Sequence, residues 1–135
     1  MNKLLITGLG IAAITAIGIV VKLCPKYLIS KIGKKLKLSK EIYSIKTIEG
    51  KVNFQDIVAW FKSLSLDKNK DIPFIAKADL FKDMLNYETK KNAALFVGVF
   101  NEEKNEIIHA QIIEADSFDD QTLEVLGKES IVILN

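Results

Sequence analysis

The 135 residues include no arginine. That removes the planar guanidinium fork, the group best suited to bidentate recognition of phosphate or carboxylate. Cysteine occurs once, as Cys24, so the chain holds no internal disulfide and its redox compartment is left open. Histidine also occurs once, as His109. A general base needs a nucleophile or a carboxylate within hydrogen-bond reach. Glu114 and Asp116 follow His109 only after several residues, about 15 Å along an extended strand. Cys24 has no base near it in the sequence. There is no nucleophile elbow, no metal-ligand spacing and no phosphate-binding glycine loop in a soluble context. These absences predict no catalytic residues, cofactor or metal; the alternative is a small ligand-binding or enzymatic domain that uses His109 with the acids of Glu114–Asp120.

Charge is also missing from one long stretch. Leu4–Val21 is uncharged and lies between Lys3 and Lys22. At helical rise the run reaches roughly 27 Å, close to the thickness of a bilayer's hydrocarbon core. It predicts a single membrane-spanning helix. Gly8, Ala12 and Ala16 recur every fourth residue, a spacing that lets two helix backbones approach as a dimer seam. The main rival is a cleaved signal peptide, with Ala16-Ile17-Gly18 as the processing site and a product starting at Ile19. The stretch from Lys3 to Ala13 also resembles the strand and glycine turn of a dinucleotide-binding unit. The amphipathic helix and the later acid that such a unit needs do not follow.

What is present is divided unevenly. Residues 1–51 carry ten lysines and two acids, and residues 52–135 carry nine lysines and fifteen acids. Lysine clusters after the apolar run, so the positive-inside rule puts the C-terminal domain in the cytoplasm, beneath the cell membrane. Pro25 marks the end of the anchor. Beyond it, Leu28, Ile29, Ile32 and Leu36 fall on one helical face. Lys22, Lys26, Lys31, Lys34, Lys35 and Lys37, with Tyr27, then predict contact with anionic headgroups. Without arginine or interleaved aromatics, nucleic acid is not expected as a partner.

The sequence divides into an anchor at 1–24, a basic neck at 25–41 and a domain at 42–135. The expected fold is α+β: a transmembrane helix, then a mixed or antiparallel sheet of about four or five strands with about three helices. A strand is expected at 41–48. A helix should follow, capped by Asn53, with Ile57, Val58, Phe61 and Leu64 as its buried stripe. Asp67, Asn69 and Asp71 resemble the opening of a calcium loop, but Ile72 replaces its glycine. Ile72–Ala76 should be a strand at a sheet edge because of Pro73, and Asp79 should cap a short helix to Asn86. Asp116 or Ser117 should cap a last helix that Gly127 ends, before an inner strand at 130–134.

Ala93–Phe100 and Ile107–Ile113 predict a hairpin. With Phe100 opposite Ile107, regular pairing puts Val99 opposite Ile108, Val97 opposite Ala110 and Leu95 opposite Ile112, a wholly apolar core face. The other face then carries Phe96, Phe100, Ile107, His109 and Gln111, with His109 over Gly98, and is the candidate surface for a protein partner. Together these features suggest a membrane-tethered interaction or adaptor domain, a non-catalytic subunit or regulator of a larger assembly.

Overall fold

The computed structural model describes residues 11–14, 19–38, 43–77, 90–129 and 131–134. The expected helix from Leu80 to Asn86 lies outside them, as do Gly8 and Ala16. The strands are β1 (Ile11–Ile14), β2 (Ile19–Leu23), β3 (Tyr43–Thr47), β4 (Lys51–Val52), β5 (Asp71–Lys77), β6 (Ala93–Asn101), β7 (Glu106–Ala115), β8 (Ser117–Phe118) and β9 (Ile131–Leu134). The helices are α1 (Lys26–Leu38), α2 (Phe54–Lys62) and α3 (Asp120–Leu126).

The fold is α+β. One sheet has the order β1-β2-β9-β5-β6-β7-β3, and β4 and β8 make a separate pair. Five of the strands after residue 42, β9-β5-β6-β7-β3, form a mixed sheet, antiparallel except where β3 runs parallel to β7. β1 and β2 lengthen it beyond β9.

That extension lends no support to the expected membrane helix. Where it is described, the apolar run is paired strand, with Ala12 opposite Val21, and Lys22 opposite Ile133 of β9. No helix among the described residues is long and apolar enough to cross a membrane. Hydrophobicity alone does not separate strand from helix, and Ile11, Ile14, Ile19, Val20 and Val21 are β-branched residues that favour a pleated surface.

Both faces of the sheet are covered over its central strands. On one, Phe54, Ile57, Val58 and Phe61 of α2 and Val125 and Leu126 of α3 pack on Ile75, Leu95, Val97, Val99 and Ile113. On the other, Leu28 and Ile32 of α1 join Phe74, Phe96, Phe100, Ala110 and Ile112. Double burial explains why β6 reads AALFVGVFN, with every residue buried and no polar alternation. β5 is an inner strand although it contains Pro73. β9 pairs only with Phe74, Ile75 and Ala76, so the proline's missing N–H falls beyond that ladder.

Candidate functional site

The hairpin of β6 and β7 carries the residues expected to meet a partner, and a bulge redistributes them. Phe100 pairs with Ile107 as expected, but Val99 pairs with His109, which leaves Ile108 as an extra residue. An inserted residue inverts the alternation on one strand. Val97 therefore lies opposite Gln111 and Leu95 opposite Ile113, while Phe96 faces Ile112 and Gly98 faces Ala110. The five-residue face is split. Phe96, Phe100 and Ile107 are buried under α1, whereas His109 and Gln111 are half-buried on the α2 side. His109 does not cover Gly98; the Phe74 ring does.

On the α2 side a small cleft is lined by Lys46, Asn53, Asp56, Trp60 and Gln111 over Ile57, Val97 and Ile113. Its volume is about 60 Å³. That is room for roughly two waters, far below the ~300 Å³ of a typical metabolite pocket. The Asn53 side chain is already engaged, accepting the Gln55 N–H at 2.9 Å as the α2 cap. Trp60 leans on Phe61, ring centres 5.1 Å apart, at the helix edge.

The acids after β7 are structural ties. Asp119, not Asp116 or Ser117, caps α3. One Asp119 oxygen accepts the Thr122 N–H and hydroxyl; the other accepts the Phe54 N–H at 3.0 Å, so a single carboxylate holds the starts of two helices. Partial burial pushes its pKa up, but bonds from the Thr122 hydroxyl and the Phe54 and Thr122 N–H groups outweigh that and hold it below the ordinary value. Asp116 accepts the Gly50 N–H at 2.8 Å and meets Lys91 at 3.2 Å. Both bonds lower its pKa, the Gly50 bond more. Glu114 is buried on the α1 side of β7, where it accepts the Lys90 N–H at 3.3 Å. His109 is on the opposite face, so the structure does not bring the two together.

Asp67 and Asp71 are likewise occupied by backbone N–H groups of their own turn and, for Asp71, by Asn101 at 2.7 Å. No group of three or more potential ligands for a metal occurs among the described residues. Cys24 is a free, partly buried thiol packed against the cluster on the α1 side of the sheet.

The remaining candidates lie on α1. Lys26, Lys31 and Lys34 are exposed, as is Tyr27, and the Lys31 ammonium lies 5.6 Å from the Tyr27 ring centre. Lys35 and Lys37 belong to the same helix by backbone, and Lys22 to β2. The apolar side expected to rest on headgroups is instead spent on the sheet through Leu28 and Ile32. No family model, no curated protein and no solved structure matches this chain.

Proposed function

We propose that the protein is a membrane-tethered interaction domain, a non-catalytic subunit or regulator of a larger assembly, with its folded part on the cytoplasmic side. The observation that carries this reading is the junction at residues 22–34. An apolar run long enough for a bilayer is followed at once by a helix with exposed Lys26, Lys31 and Lys34. In water, pairing along the sheet edge gives the run's described parts one refuge; a bilayer offers the whole run another. Because Leu28 and Ile32 are buried, α1 meets headgroups through charge and not by inserting a greasy face.

Fractionation of the full-length chain tests the tether. Retention in the membrane through alkaline extraction supports it, and uncut, unaggregated chain in the supernatant overturns it. Gln at positions 26, 31 and 34 should weaken binding to anionic vesicles, each lysine contributing about 1 kcal/mol near such a surface.

A second reading, an exported protein released by a signal peptidase, has one observation in its favour. β2 begins at Ile19, the first residue of the expected product, so cleavage would leave the β2–β9 pairing whole. Intact mass of the mature protein separates the two readings. A third, a small-molecule site built on His109 and neighbouring acids, finds Glu114 on the far face of the sheet.

A further inference from the structure

β3 closes one side of the large sheet, and no strand among the described residues pairs with its outer edge. Residues 44–47 are all exposed, and Ile45 leaves 51% of its surface in water. The Ile48 N–H donates to the Glu114 carbonyl at 2.8 Å, in register with Thr47 opposite Glu114. In a parallel ladder each residue turns its N–H and C=O to the same side, and successive residues alternate. Ser44, Lys46 and Ile48 therefore bond toward β7. Tyr43, Ile45 and Thr47 turn their backbone groups outward, where a further strand would meet them.

We propose that this row is the seam of a homodimer, with β3 of one copy antiparallel to β3 of a second copy about a two-fold axis at Ile45. Three features of the strand fit a second copy. The outward residues fall at 43, 45 and 47, symmetric about the centre, so Ile45 exchanges both bonds with its twin and Tyr43 does so with Thr47 of the other copy. The axis also brings the two half-exposed isoleucines together and withdraws both from water. Finally, Lys46 falls opposite Ser44 of the other copy, so the lysines do not face each other. A lysine on an edge strand ordinarily discourages pairing; this register keeps the two lysines from direct opposition and leaves them as diagonal neighbours about 7–8 Å apart, a repulsion that salt screens. The contact is short, so the dimer is weak in dilute solution and gains from confinement of both copies to one surface.

The test uses the full chain in detergent micelles, with light scattering across a concentration series and amide hydrogen exchange on the same samples. The expected result is a monomer–dimer equilibrium in which the Ile45 and Thr47 amides become protected as the dimer fills. Ile45→Pro deletes one outward N–H without touching the bonds to β7, and should weaken association roughly tenfold or more. Ile45→Lys keeps the backbone intact, so it guards against a proline variant that fails to fold. It sets like charges on the axis and should lower association at low salt, with recovery as salt rises. A chain that stays monomeric at millimolar concentration, with both amides unprotected, overturns the proposal. So does a dimer that survives both substitutions with those amides still exchanging, since its seam would lie elsewhere, for instance along Gly8, Ala12 and Ala16.

Discussion

Gly98 sits where no side chain fits. A Cβ there would lie 2.8 Å from Phe74 Cζ and 3.0 Å from the His109 carbonyl oxygen. The phenyl ring cannot swing aside cheaply, because Phe74 is fully buried and stacked on Phe96 with centres 5.8 Å apart. Gly98→Ala should therefore destabilise the fold by about 1–3 kcal/mol, the usual cost of overpacking, read as a lower urea midpoint. Asp119 offers a second case. Its folded pKa is lowered, so its contribution to stability is whole above the unfolded carboxylate pKa and is lost as pH falls through the folded value. Asp119→Ala should cost about 1 kcal/mol or somewhat more at neutral pH, since two helix starts lose an acceptor. Asp119→Asn should cost less at neutral pH and flatten the acid limb of a stability–pH curve. The sequence pointed to Asp116 or Ser117 as the cap, and the structure moves it to Asp119. Asp116, Ser117, Asp119 and Asp120 are all competent caps, and the choice is made by Phe54, 65 positions away.

Secondary elements with local signals were legible, and those decided by distant partners were not. Asn53 caps α2, Gly127 ends α3 at a φ of 53°, and the turn at 102–105 joins β6 to β7. Each of these depends on a few neighbouring residues. The bulge at Ile108 has no such signature, because EIIHAQII reads smoothly as a regular strand. One unpaired residue was enough to move His109 and Gln111 away from Phe96 and Phe100. The role of α1 was half legible. Its amphipathic spacing was correct, but what its apolar side meets is set by the sheet, with Leu28 and Ile32 at 1% and 0% exposure. Leu28→Ala or Ile32→Ala should cost about 2–5 kcal/mol, as for other fully buried aliphatic residues. Lys31→Gln should leave the urea midpoint within about 0.5 kcal/mol of the parent. A Leu28→Ala chain as stable as its parent would mean that α1 does not form part of the core.

On the proposed reading, the apolar run Leu4–Val21 has two ways of leaving water. Along the sheet edge, β1 and β2 pair with each other, and β2 meets β9 at three register positions, Val21 with Leu134, Lys22 with Ile133 and Leu23 with Val132. Across a bilayer, the same run would satisfy its backbone internally and bury its apolar side chains in hydrocarbon. The two arrangements exclude each other at Lys22 and Leu23, because a helix running to the interface pulls these residues off β9. The remaining five strands would still be paired, since β9 keeps β5 on its other side. A cross-link can report which arrangement holds. Directly opposed residues on antiparallel strands lie about 4.5–5.5 Å apart between Cα atoms, within disulfide reach. Lys22→Cys with Ile133→Cys, in a Cys24→Ser background, should therefore oxidise readily in detergent-free solution. When the chain is synthesised into vesicles the yield should fall sharply, and protein cross-linked beforehand should fail to resist alkaline extraction. Equal cross-linking in both settings, with the linked protein still embedded, would mean that the strand pairing persists at the membrane and that something other than a spanning helix holds the domain there.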